Sequence, residues 1–178
     1  LPLKCYSPEL MVVPVYSVDD RDNFVDQMAE QIVPDLERLH CLVIGPGLGR
    51  SPWVFAGVAR IIRECRERNL LVVMDADALY MLTQPEYHSL LEDCANVILT
   101  PNVMEQKRLD AAGAVCNKAT IVRKGQVDGI YKGSELVMEC HEEVRMVSRR
   151  KFFVLRYRLG RLEAFRRHRR RISGTWLA

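Results

Sequence analysis

Residues 41–53 read CLVIGPGLGRSPW: an apolar run long enough for one strand, three glycines within five positions, then a serine and a proline. CLVI at 41–44 has the length and character of a buried strand. Ser51 followed by Pro52 marks a helix start, because proline's missing N–H and fixed φ suit the first helical position. Beyond Pro52, the residues Val54, Phe55, Val58, Ile61, Ile62 and Cys65 recur at helical spacing, with Arg60, Arg63, Glu64, Arg66 and Glu67 on the other faces. An amphipathic helix follows from that pattern. The stretch is therefore strand, glycine turn and helix in sequence, and this unit sets the fold class.

The unit recurs downstream. LLVVMD at 70–75, NVILTPN at 96–102 and TIVRKG at 120–125 are apolar runs that end in polar residues. Such strands, alternating with helices, imply an α/β fold with a mostly parallel central sheet buried on both faces. NFVDQMAEQIV at 23–33 reads as a short amphipathic helix, and PELMVVPVY at 8–16 as a strand interrupted by Pro14. DGIYKGSELVMEC at 128–140 reads as a hairpin turning at Lys132-Gly133.

With 178 residues and 48% hydrophobic content, the chain can bury one sizeable core, or one domain plus a tail. Its cysteines, at 5, 41, 65, 94, 116 and 140, form no CxxC pair. That argues for an intracellular, reducing compartment and against a zinc site. There is no apolar run of about 18 residues that would cross a membrane, and no signal segment. The chain begins at Leu1, so it is read as processed or as a fragment. Charge divides it in two: residues 141–178 carry 12 Lys/Arg against 3 Asp/Glu, a net of +9, and the overall +3 leaves residues 1–140 at −6. A boundary is placed near His141, with 1–140 as the folded domain and 141–178 as a basic tail, disordered or non-native.

In an open α/β sheet, ligands collect beyond the carboxyl ends of the strands. Four polar clusters map to that edge: GPGLGR, MDAD, TPNVMEQKR and RKGQVD. GPGLG has neither the last glycine of a GxGxxG fingerprint nor the Lys-Ser/Thr of a P-loop. It is open to two readings, a turn that needs positive φ or a loop whose Gly47 and Gly49 let backbone amides approach an anion. Asp77 suits a helix cap, whereas Asp75, at a strand tip, could orient a metal-bound water or a ligand hydroxyl. Asn102 and Glu105 have capping-box spacing. Lys124, Gly125 and Asp128 fit the start of a hairpin, or Lys124 supplies a point charge for phosphate. His40, His88, His141 and His168 share no spacing, and Ser51 is not in a GxSxG elbow.

Taken in order, YSPEL (6–10), VIGPGLGR (43–50), VVMDADALYML (72–82), VILTPNVMEQKRL (97–109) and TIVRKGQVDGIYKG (120–133) resemble the ATP-dependent NAD(P)H-hydrate dehydratases. The resemblance implies a ribokinase-like three-layer sandwich with a mostly parallel central sheet, of which residues 1–140 form a part. It also implies a repair reaction. ATP and Mg²⁺ phosphorylate the hydroxyl of the hydrated nicotinamide ring of NADHX or NADPHX, and loss of phosphate, pushed by the ring nitrogen, regenerates NADH or NADPH. By matching motif, Gly45, Gly47 and Gly49, with Asn102, Val103, Met104, Glu105, Gln106, Lys107 and Arg108, would contact the damaged nucleotide. Lys124, Gly125, Gln126, Val127 and Asp128 would contact ATP. The implied compartment is the cytoplasm or the mitochondrion.

The chain departs from the family pattern at several points. Val103 stands where the family usually has histidine and Gln106 where it has an aromatic residue, and DAAGAVCNKA at 110–119 leaves a tight crossover. The family's first strand with its GGS-type loop is not in the chain, and its GGQGD, whose glycine amides and aspartate serve catalysis, does not occur. Phosphoryl transfer depends on positioning and charge stabilisation, so no catalytic residue is assigned and the chain as it stands is expected to be inactive. Two other functions compete: a hydroxymethylpyrimidine or hydroxyethylthiazole type of kinase on the same fold, and nucleic-acid binding by the tail. The tail's eleven arginines are interleaved with Phe152, Phe153, Tyr157 and Phe165, a mixture suited to phosphate and base contacts. The reading adopted for 141–178 is an unselected sequence from aberrant splicing or a shifted frame. Translating the transcript in its other two frames should uncover a GGQGD-like string near codon 145; its absence there and in nearby genomic DNA would refute this origin.

Overall fold

A computed structural model describes residues 12, 13, 15, 24–92, 94–114 and 116–140. The basic tail and most of the expected strand at 8–16 lie outside the described residues; those described there, 12, 13 and 15, are in no strand. The elements run α1 (Phe24–Leu36), β1 (Cys41–Ile44), α2 (Pro52–Glu67), β2 (Leu71–Met74), α3 (Asp77–Met81), a 3-10 segment (Pro85–Leu91), β3 (Val97–Leu99), α4 (Val103–Ala111), β4 (Thr120–Arg123), β5 (Asp128–Lys132) and β6 (Glu135–Cys140).

The six strands form one sheet in the order β1-β2-β3-β4-β5-β6. β1 to β4 are parallel, while β5 and β6 add antiparallel pairs that end in the expected hairpin. Because each parallel strand is placed beyond the last in one direction, right-handed crossovers put every connecting helix on the same face. Burial follows that rule. Ile44, Met74 and Leu99 are in register on one face with Val72 and Val97 and are buried, whereas on the other face Val43, aligned with Val73 and Ile98, is 61% exposed. Burial on both faces, expected from the apolar runs, thus holds for only one face among the described residues.

α2 is the keystone of the covered face. All six of its apolar-stripe residues are buried, and α1 packs along it. The approach is close at Gly57, where a Cβ would stand 2.9 Å from the Met28 sulfur. Ser51 and Pro52 start the helix as expected, but the Ser51 side chain makes no capping bond. α1 runs to Leu36, past Pro34. Proline is tolerated there because only a last-turn bond is lost, and the buried Leu36 anchors the end. The short β3–β4 crossover is accommodated by the nine residues of α4, with pairing reduced to Ile98–Thr120 and Leu99–Ile121.

Burial pushes the Cys65 and Cys116 thiols up to about 11. Their stabilising contribution is complete below the ordinary value of 9.0 and is lost as pH rises towards 11. Denaturation monitored over that interval should therefore show falling stability. At neutral pH an alkylating reagent should modify the exposed Cys140 first and reach buried Cys65 only as fast as the chain opens; rapid labelling of Cys65 would contradict the packing of α2.

Candidate functional site

The strand tips are bonded into a continuous shelf. Asp75 N–H donates to the Ile44 carbonyl at 3.0 Å, Thr100 N–H to the Met74 carbonyl at 3.1 Å, and Lys124 N–H to the Pro101 carbonyl at 2.8 Å. A parallel bridge joins Asn102 and Lys124. All four polar loops therefore meet at the carboxyl edge of β1–β4, as their positions after apolar runs required.

The glycine loop adopts the backbone its composition allows: Gly45, Gly47 and Gly49 have φ of 122°, 74° and 78°. They serve different purposes. A Cβ on Gly45 would fall 1.7 Å from the Asp75 carbonyl oxygen, so that glycine lets two strand ends touch. Nothing lies within 4 Å of a Cβ at Gly47 or Gly49; these face open space, as an approaching ligand would require.

Residues 75–77 tie the other clusters to this loop. Asp77 is not a cap: the N-cap position of α3 is Ala76, without a side-chain bond. Instead its carboxylate accepts from the Gly49 N–H at 3.1 Å and from Arg50 Nε at 3.2 Å. Arg50 in turn lies over the Tyr80 ring, 4.1 Å from its centre, and Tyr80 packs on buried Phe55. The Asp75 carboxylate accepts from Lys124 Nζ at 2.8 Å and from Ala76 N–H at 2.9 Å. Asp75 and Lys124, expected to serve separate ligands, are partners. Gly49 N–H, expected to face an anion, is occupied by a carboxylate.

α4 begins with the expected capping box. Asn102 Oδ1 accepts from the N–H groups of Met104 and Glu105, and Glu105 accepts from Asn102 N–H at 2.8 Å. Val103 and Met104 are exposed, and Gln106 reaches along the helix to Asp110 at 2.7 Å. Glu105 and Arg108 instead line a small cleft with Arg50, Ala76, Asp77, Tyr80 and Thr83. Its volume, about 120 Å³, is well below the ~300–1,000 Å³ of a pocket for a drug-sized ligand. It has room for one small group of a larger ligand. The start of the last loop is closed by Gly125 N–H donating to Asp128 at 2.9 Å. Gln126 and Val127 stand exposed at its tip.

The family model described as NAD(P)H-hydrate dehydratase matches residues 1–146. The chain belongs to the NAD(P)H-hydrate dehydratase family. Among curated relatives, the ATP-dependent (S)-NAD(P)H-hydrate dehydratase of Schizosaccharomyces pombe is 40% identical over 149 residues, covering 74% of this chain and 45% of its own length. The protein of the same name from Entamoeba histolytica is 35% identical over 151 residues, covering 78% and 47%. The chain thus spans about half the length of these relatives. A ribokinase-like superfamily protein from Enterococcus faecalis superposes with a TM-score of 0.54 at 21% identity, over 76% of this chain and 47% of that structure. The fold is ribokinase-like.

In this member of the NAD(P)H-hydrate dehydratase family, sequence reasoning passed over Arg50, Tyr80 and Thr83 as site residues. Arg50 closes the quoted motif GPGLGR without being singled out, and Tyr80 lies one helical turn beyond Ala76, so DADALY was the available signal. Gly45→Ala should lower stability by about 3 kcal/mol or more through its backbone collision, whereas Gly47→Ala should cost about 1–2 kcal/mol from the left-handed backbone alone. Equal losses in chemical denaturation would show that Gly45 does not join the two strand ends.

Proposed function

We propose that residues 1–140 are the substrate- and nucleotide-binding part of an ATP-dependent (S)-NAD(P)H-hydrate dehydratase, and that 141–178 is an added basic tail. One observation carries this reading. The glycine loop, DAD, TPNVMEQKR and KGQVD lie in family order on one sheet edge, and residues 75–77 bond to the first and last of them. Damaged NADH or NADPH would lie between the glycine loop and the start of α4, touching Gly47, Gly49, Lys107 and Arg108. ATP would lie against Lys124 and the Gly125–Asp128 turn. The Arg108 carbonyl accepts from Ala112 N–H, whereas its guanidinium has no hydrogen-bond or ion-pair partner among the described residues, which leaves it available to an anionic group of the substrate.

The chemistry would convert a poor leaving group into a good one. The γ-phosphoryl group moves to the ring hydroxyl, which gives up its proton, with release of ADP; the ring nitrogen's electron pair then expels phosphate, and loss of a proton from the adjacent ring carbon restores the dihydropyridine. The residues described here would bind and orient both reactants. Mg²⁺, if required, would arrive on the ATP phosphates, as this ion commonly does. Among the described residues there is no group of three His, Cys, Asp or Glu side chains placed to hold a metal, and Asp75 is already paired with Lys124; no step is assigned to the ion. With no GGQGD in the sequence, the chain is proposed to bind without turning over. The proposed place of work is the cytoplasm or the mitochondrion; none of the described helices is long and apolar enough to cross a membrane.

Mg-ATP at a hundred times its Kd should stabilise the chain by about 2.7 kcal/mol, seen as a rise in Tm that Lys124→Ala abolishes. NADPHX should yield no NADPH. Absence of a shift at any ATP concentration would count against the binding assignment, and turnover would count against the inactivity.

A further inference from the structure

Ala76 has φ 49° and ψ −116°, a backbone region that costs a residue with a side chain about 1–3 kcal/mol and persists only where surrounding bonds enforce it. The neighbouring carboxylates provide those bonds. Asp75 reaches across β3 to Lys124 at the tip of β4, holding Ala76 N–H as well. Asp77 reaches back across 28 residues to Gly49 N–H and across 27 to Arg50. An extended Ala76 would point these two side chains, two positions apart, to the same face of a strand. The observed conformation sends one to each flanking loop.

We propose that residues 75–77 are the positioning element of the site: Asp77 sets the glycine loop and Arg50 for the damaged nucleotide, and Asp75 sets Lys124 for the phosphates of ATP. The inference rests on the functional reading above for the identity of the two ligands. It assigns to the DAD turn a role distinct from ligand contact or metal binding. Neither carboxylate need touch a reactant. Each acts through the group it holds, and because they act on different loops, their effects should separate.

Separation is the test. In the intact chain, hydrogen exchange at residues 46–50 should accelerate about tenfold or more in Asp77→Ala, the loss expected when a charge-assisted bond to an amide is removed. Exchange in α2 and β2 should stay within about twofold of wild type. Asp77→Asn should restore much of the protection, because its amide oxygen still accepts from Gly49 N–H. Asp75→Asn should leave residues 46–50 unchanged. In ligand titrations followed by Tm, Asp75→Asn should weaken Mg-ATP about fivefold or more with NADPH little affected, and Asp77→Ala the reverse. A merely structural role would move both ligands together with overall stability. If exchange at 46–50 is unchanged in Asp77→Ala, or rises only in parallel with α2, the proposal is overturned. Equal weakening of both ligands by each variant would overturn it too. If wild-type chain binds neither NADPH nor Mg-ATP, the functional reading fails, while the exchange ratios still decide whether Asp77 positions the loop.

Discussion

Everything at the carboxyl edge of the sheet depends on the turn from β2 into α3. Gly45 must lie against the Asp75 carbonyl for β1 and β2 to end side by side, and Ala76 must take a strained backbone for the two carboxylates to diverge. The ion pairs it forms are partly exposed, with Lys124 and Asp75 side chains 42% and 31% accessible. Pairs of this kind contribute only about 0.2–1 kcal/mol each, and the Arg50–Tyr80 stacking about 0.5–1 kcal/mol. Such magnitudes do not hold a domain together. They are sufficient to choose one conformation for a loop of three glycines, whose backbone would otherwise sample many.

Stability resides elsewhere, in the layer of α1 and α2 over Ile44, Val72, Met74, Val97 and Leu99. That layer follows from topology. Strands placed successively in one direction with right-handed crossovers must stack their helices on one face, which leaves the opposite face, with Val43 at its edge, uncovered by any described element. The arrangement that strips one face of helices also lines the four loops along one edge. The covered face and the candidate site are therefore two outcomes of a single connectivity.

Much of this was legible in the residues. The strand at 41–44, the apolar stripe of α2, the capping box at Asn102 and Glu105 and the turn at Lys132-Gly133 each rest on local rules, and each is observed. Ordered motifs disclosed the family where GPGLG alone could not. Pairings between distant residues were not legible. Asp77 satisfies every local criterion for a cap, yet its partners lie 27 and 28 positions away; Lys124 and Asp75 are 49 apart. A cap competes with any long-range acceptor role for the same carboxylate, and only the fold decides between them. The one-sided burial escaped for a related reason: an apolar run records the tendency to be covered, not what covers it.

The central claim is that these loops form one binding shelf whose two ends take different nucleotides. A crystal structure of the chain soaked with NADPH and a non-hydrolysable ATP analogue tests it most directly. The account predicts the nicotinamide nucleotide between the glycine loop and the start of α4, within reach of Arg50 or Arg108, and the ATP phosphates against Lys124. Either ligand bound elsewhere, or both competing for the same loop, would contradict it.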